Sequence, residues 1–255
     1  MTGDFVSRVV SNAKIASGLH DIWMEIENAP ENISPMPGQF AHIAADGVFL
    51  RRPISIAGFD RAARRVRFIV RAAGRGTEAI ASMRPGDSTK MLMPLGNPFP
   101  AERAESGKLW LVGGGVGIAP LIYAARYMSE TGHVSGIKSF LGFKNKNEAF
   151  GADELGQFGE AVTGIGGFVT DIVRENLASE RPAVIFSCGP VPMLAALQKI
   201  CLGERLNAYA SLEARMGCGL GACLVCNCRV KSERAEYRRA CKDGPVFGIS
   251  EVAFG

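Results

Sequence analysis

Short apolar runs broken by turn chemistry fill the first hundred residues, and longer apolar blocks joined to helical stretches fill the rest. Phe5 to Val10, Leu19 to Ile26, Val66 to Val70 and Thr89 to Met93 are apolar runs of the first part, with turns such as Met36-Pro37-Gly38 and Arg84-Pro85-Gly86-Asp87 between them. Proline and glycine there preset the φ values a tight reversal needs. Many short strands with frequent turns predict a small closed antiparallel barrel over residues 1–100. One helix is predicted inside it, Thr77 to Met83, with Thr77 as cap and Glu78 in the first turn.

After Pro100 strands and helices alternate: Lys108 to Val112 as strand, Ala119 to Glu130 as helix, Gly136 to Phe143 and Val184 to Ser187 as strands, and Met193 to Leu202 as helix. That βαβ order predicts an open parallel sheet over residues 101–212. A last strand, about Asn207 to Leu212, leads into a cysteine-rich segment, 213–255. The expected class is α+β multidomain: an N-terminal antiparallel β-barrel, a central α/β parallel-sheet nucleotide-binding domain and a small C-terminal metal-binding segment. No internal repeat or low-complexity tract interrupts this order.

Four cysteines in the last segment, Cys218, Cys223, Cys226 and Cys241, fall in the spacing C-x4-C-x2-C-x14-C. The pattern matches the plant-type arrangement of thiolates around a [2Fe–2S] cluster. Four thiolates and two sulfides outweigh two ferric ions in charge, so such a site needs backbone N–H donors turned toward sulfur. Gly217, Gly219 and Gly221 permit that wrapping. A structural zinc is the competing occupant, since Cys223-x-x-Cys226 alone fits a zinc knuckle. A zinc ribbon, however, uses two separated C-x-x-C pairs, and only one is present. Cys228, two residues beyond Cys226, reads as a spare thiol.

Composition narrows the picture. With 47% hydrophobic and 21% charged residues among 255, the chain reads as an ordinary soluble globular protein. The net charge is only +4, and no basic block is longer than Arg64-Arg65-Val66-Arg67 or Arg238-Arg239, so nucleic-acid binding is not expected. Those arginines read as solvated strand and loop faces. No export-signal pattern is visible, and the longest uncharged stretch, Leu109 to Ala125, is cut by five glycine or proline positions and is too short for a bilayer. Seven cysteines, an odd number, fit metal ligation in a reducing compartment, which makes the cytoplasm the expected location.

Two strand ends carry phosphate-binding chemistry. Leu109 to Val112 runs into Gly113-Gly114-Gly115-Val116-Gly117-Ile118-Ala119-Pro120, a strand, glycine turn and helix start that aim N–H groups at a pyrophosphate. Val184 to Ser187 repeats the logic with Cys188-Gly189-Pro190. In the barrel half, Arg52-Pro53-Ile54-Ser55 sets a guanidinium and a hydroxyl in an apolar strand. Ile69-Val70-Arg71 then leads toward Gly76-Thr77, so a second pyrophosphate site is expected there.

In this order the motifs resemble the ferredoxin reductase superfamily, in which a flavin-binding barrel precedes a nicotinamide-binding α/β domain. The run Ser211 to Cys223, with Cys226 and Cys241-Lys242-Asp243-Gly244-Pro245-Val246-Phe247, resembles the electron-transfer subunits of type B dihydroorotate dehydrogenases over nearly the whole chain. The resemblance implies FAD held by Arg52, Pro53, Ile54, Ser55, Ile69, Val70, Arg71, Gly76 and Thr77. It implies NAD(H) at Gly113, Gly114, Gly115, Gly117, Cys188, Gly189 and Pro190, iron at the four cysteines, and no acid–base catalytic residue. The implied partner is an FMN-containing subunit that oxidises dihydroorotate in pyrimidine biosynthesis, joined in a heterotetramer of two copies each. One departure stands out: where such chains usually carry an acidic Thr-Asp-Asp-Gly-Ser segment, this one has only Ala161 to Phe168, which opens the choice between NAD and NADP. The alternatives are an equivalent subunit of sulfide dehydrogenase or of an NADH-dependent ferredoxin:NADP oxidoreductase, and a zinc-bearing interaction module.

Overall fold

Six strands close the first part of the chain into a barrel in the computed structural model, which describes residues 2–105, 107–132, 134–231 and 236–254. They are β1 (Gly3–Ala16), β2 (Leu19–Ile26), β3 (Phe40–Ile43), β4 (Arg52–Asp60), β5 (Arg65–Arg71) and β6 (Ser88–Leu95). Around the barrel the order is β1-β2-β5-β4-β3-β6, every neighbour antiparallel. Ile22, Met24, Ile43, Ile56, Phe68, Val70 and Met91 fill its interior with no exposed surface. The four residues of β3 are all buried, so it lacks the alternation that would have made it legible.

The barrel helix, α1 (Arg75–Ala81), begins two residues before the predicted start, so Thr77 is not its cap. Gly74 caps it with no side-chain bond, and Thr77 braces the turn from within: its Oγ1 accepts from Ala73 N–H at 3.0 Å and donates to Gly74 O at 3.1 Å. Glu78 does lie in the first turn.

Beyond Pro100 the elements are β7 (Lys108–Gly114), α2 (Ala119–Thr131), β8 (Gly136–Phe143), α3 (Ala152–Gly156), β9 (Glu160–Ile165), α4 (Val169–Leu177), β10 (Val184–Cys188), α5 (Val191–Glu204) and β11 (Ala208–Ser211). The cysteine segment adds β12 (Asn227–Arg229), β13 (Tyr237–Arg239) and β14 (Val246–Gly248). One six-stranded sheet runs β14-β11-β10-β7-β8-β9. Its pairs are parallel except β11 with β14, where Ser211 lies opposite Val246. All five residues of β10 are buried, as a strand covered on both faces requires. Proline in the first turn of α2 and left-handed Gly132 after its end supply its start and stop.

The barrel and the sheet share one core. Ala57 of β4 and Ile69 of β5 belong to the same buried cluster as Ile118, Leu121 and Ile122. Tyr123 of α2 reaches the barrel cluster and donates its hydroxyl to Pro35 O at 2.7 Å. Arg67, expected on a solvated face, is instead a clasp between the two parts. Its side chain is 13% exposed, bonds Asp21 of β2 at 2.9 Å and reaches Glu154 of α3 at 2.6 Å. Arg71 of the same strand makes a second clasp, 3.1 Å to Glu148. Among the described residues no helix is long and apolar enough to cross a membrane.

Candidate functional site

The carboxyl ends of β7, β10 and β11 face the barrel strands β4 and β5, and a cavity of about 300 Å³ lies between them. Pro53, Ile54, Ser55, Ile69, Arg71 and Thr77 line it from the barrel, and Val116, Gly117, Cys188, Ser211 and Glu213 from the sheet. An open recess of about 440 Å³ continues it along Arg52, Gly74, Gly76 and Thr77. Val70 departs from its predicted neighbours: its side chain belongs to the barrel core, as the alternation of β5 demands.

Burial chemistry tests whether this cavity suits an anionic flavin nucleotide. Arg71 Nε is buried with no hydrogen-bond partner, while its Nη1 and Nη2 atoms hold Glu148 Oε2 at 3.1 and 3.2 Å. A buried guanidinium donor left free costs about 1–3 kcal/mol, so the position calls for an acceptor that the protein does not supply. Arg52 donates to Leu50 O at 2.8 Å, which fixes its guanidinium against the start of α1. The residues fit FAD, with a buried, unpartnered guanidinium donor on Arg71 able to serve an anionic group.

A second cavity, about 810 Å³, adjoins the first and shares Arg71, Val116 and Glu213 with it. Gly114, Gly115, Gly189 and Pro190 line it, as expected of a nicotinamide nucleotide site. Gly113 and Gly117 serve by close approach instead. A Cβ on Gly113 would stand 2.6 Å from Ile118 Cγ1, and one on Gly117 would stand 2.5 Å from Cys188 O. Cys188 faces the flavin-side cavity, with burial pushing its thiol up to about 12. Glu213 opens into both cavities, and the packing behind it raises its carboxyl above the usual range against the pull of Arg71.

The four cysteines form two pairs. Cys218 and Cys223 are joined by N–H to sulfur contacts of 3.4 Å in both directions, and Cys241 N–H reaches Cys226 Sγ at 3.5 Å. The Cys223 and Leu220 amides aimed at Cys218 bring its thiol down to about 6. Among the described residues no three His, Cys, Asp or Glu side chains converge on a single point. A [2Fe–2S] cluster takes one thiolate pair on each iron, an arrangement the two pairs fit. Gly219 and Gly221 adopt the positive φ the wrapping requires, at +73° and +82°, and so does Leu224 at 61°, which the sequence did not announce. Cys228 stands outside both pairs and donates to Arg238 O at 3.2 Å within the β12–β13 hairpin.

A barrel with a flavin-sized cavity, a nucleotide cavity on the adjoining sheet and paired thiolates beyond them define an oxidoreductase of the ferredoxin reductase-like fold. Comparison with known proteins agrees. Residues 213–253 match the family model described as the iron-sulfur cluster binding domain of dihydroorotate dehydrogenase B. The chain is 38% identical over 255 residues to the dihydroorotate dehydrogenase B (NAD(+)) electron transfer subunit of Geobacillus sp. (strain WCH70), covering 96% of each. It is 40% identical over 256 residues to that of Shouchella clausii, again covering 96% of each. Among solved structures, a chain of an NADH-dependent reduced ferredoxin-NADP oxidoreductase superposes with a TM-score of 0.82 at 28% identity, over 97% of this chain and 90% of that one. The chain belongs to the family of electron transfer subunits of dihydroorotate dehydrogenase B. The higher identity to these subunits does not favour the alternative complexes.

Sequence reasoning passed over Glu213, Lys144 and Glu148 as lining residues. Glu213 had a usable signal, since it directly follows a strand whose carboxyl edge faces the ligand. Lys144 and Glu148 had none beyond being charged residues after β8.

Proposed function

We infer that the chain carries electrons between NAD(H) and an FMN-bearing catalytic subunit that oxidises dihydroorotate, by way of FAD and a [2Fe–2S] cluster. The observation that carries this reading is the adjacency of the two cavities, which share Arg71, Val116 and Glu213, with the paired thiolates following directly on the strand that ends in Ser211. Bound FAD would trade an electron pair with nicotinamide and single electrons with the cluster, which explains why the three sites occur together.

The chain's own work is placement. Arg52 and Arg71 would hold the flavin phosphates, with Pro53, Ile54, Ser55, Ile69, Gly76 and Thr77 around the rest and Val70 contributing backbone only. Gly114, Gly115, Gly189 and Pro190 leave a side-chain-free floor for the pyrophosphate of the nicotinamide nucleotide, and Gly113, Gly117 and Cys188 keep the two strand ends close enough to form it. Cys218 and Cys223 would hold one iron, Cys226 and Cys241 the other. No side chain is assigned a nucleophilic or proton-transfer role. Seven cysteines free of disulfides support a cytoplasmic location, and a heterotetramer of two copies of each subunit is the assembly we propose.

Anaerobic purification with the catalytic subunit tests the reading. Two irons per chain, a paramagnetic signal after dithionite and dihydroorotate-dependent NADH formation are expected. Cys223→Ser should lose the iron signal and keep flavin. Iron-free wild-type material would sink the reading.

A further inference from the structure

The two thiolate pairs are held in the protein by different means. Cys226 and Cys241 are buried in one cluster with Phe40 and Leu95 of the barrel, and Ala240 N–H donates to Cys226 O at 3.0 Å. Cys218 and Cys223 bound a short loop, Gly219-Leu220-Gly221-Ala222, and neither sulfur residue is buried. Leu220, the largest side chain between them, is exposed. Apolar burial of its own side chains therefore cannot fix this loop, and polar contacts must.

Arg239, the last residue of β13 and two positions before Cys241, supplies one. Its Nη1 donates to Gly221 O at 3.1 Å. Asp243 steers the rest of the guanidinium: Nε donates to Oδ2 at 2.9 Å and Nη2 to Oδ1 at 3.0 Å, while Asp243 N–H donates back to Arg239 O at 2.8 Å. All three guanidinium nitrogens are engaged, in a forked geometry that a lysine cannot copy. Gly221 offers its carbonyl from a φ of +82°, and a Cβ there would stand 2.7 Å from Lys242 Cδ, so the loop packs closely on the stretch that carries Cys241. Asn97, just past β6, fastens the other side: its Nδ2 donates to Asp243 O at 3.0 Å and its N–H to Gly244 O at 2.6 Å. The bonds thus run from the barrel through Asp243 and Arg239 to the loop between Cys218 and Cys223.

A partly exposed Arg–Asp pair adds little to stability by itself. Its place beside the cysteines gives it other work. Groups that orient metal ligands from outside typically change metal affinity by about 10–100-fold, and the potential of an iron–sulfur cluster follows the charge and hydrogen bonding around it.

We propose that Arg239, steered by Asp243, is a positioning residue for the [2Fe–2S] cluster: it holds the Cys218–Cys223 pair in place beside the Cys226–Cys241 pair, and its positive charge raises the cluster's midpoint potential. The proposal rests on the reading of the four cysteines as cluster ligands.

The test uses the complex purified anaerobically with its catalytic subunit, read by chelator competition for iron and by a potentiometric titration followed by paramagnetic resonance. Arg239→Gln should hold iron about tenfold less tightly and lower the midpoint, because a positive charge is gone and Asp243 is left without its partner. Asp243→Asn should also loosen iron but raise the midpoint, because a negative charge is gone. Arg239→Lys should keep the wild-type midpoint and still loosen iron, since an ammonium cannot span Gly221 and Asp243 together. Flavin occupancy should stay at the wild-type level in all three. Opposite midpoint shifts are a result that a merely structural role does not produce. Wild-type iron affinity in every variant, midpoints that move the same way in Arg239→Gln and Asp243→Asn, or flavin lost together with iron would overturn the proposal and leave the cluster site standing. A wild-type complex without iron would remove the cluster reading and the proposal together.

Discussion

Gly117→Ala tests whether the two cavities depend on how closely β7 and β10 approach at their ends. The added methyl would stand 2.5 Å from Cys188 O, 2.6 Å from Cys188 C and 2.7 Å from Gly189 Cα. All three neighbours are backbone, so no rotamer change relieves the contact. Ordinary separation requires the end of β10 to move by about 0.9 Å, and overpacking of that kind costs about 1–3 kcal/mol. The same shift displaces Cys188 in one cavity and Gly189 and Pro190 in the other, and a misplacement near 1 Å can cost about a hundredfold in rate. Denaturant unfolding should show the modest stability loss. Stopped-flow reduction of the flavin by NADH should show a loss of one to two orders of magnitude, about 1.4–2.7 kcal/mol in barrier. A variant that unfolds more easily but reduces flavin at the wild-type rate would refute the link between strand approach and site geometry.

Other expectations follow from the ion pairs and the barrel arginines. Arg52→Ala should weaken FAD retention by about 1.5–3 kcal/mol, read as flavin loss on dilution; unchanged occupancy would remove Arg52 from the phosphate site. Arg67→Met strands Asp21 and leaves Glu154 with only Arg126 at 3.5 Å, and should lower stability by about 2–3 kcal/mol, less than a fully buried pair because all three side chains keep some water contact, and adding Asp21→Asn should recover part of the loss. Glu148 is held below the usual carboxylate range by Arg71, so its contribution is complete above the unfolded value and disappears as pH falls through the lowered one. Acid titration of unfolding midpoints should reveal that limb, and Glu148→Gln should flatten it.

Much of the architecture was legible because its elements carry strong periodic signals. Val184 to Cys188 is apolar but for Ser187, and β1 and β2 alternate visibly. β9 was not, since three of its six residues are exposed at the sheet edge and Gly164 interrupts it. The cysteine spacing announced the metal site, but the division into two pairs, and the left-handed turn at Leu224, depend on how the loop folds over Phe40 and Leu95 of the barrel. Arg67 was misread for a physical reason. Its neighbours Arg64 and Arg65 do face outward or half outward, and nothing in the local sequence reveals that α3 returns with Glu154 to cover one position of the three.

The pairing of Ser211 with Val246 makes the iron-binding stretch an excursion that leaves and rejoins the protein at a single rung of hydrogen bonds. Phe247, Ile249 and Val252, just past that rung, anchor the returning chain in a separate apolar cluster. Glu213, Ala214, Met216 and Pro245 of that excursion also line the flavin-side cavity, so damage to the thiolates by oxygen should disturb the flavin cleft while the parallel strands keep their order.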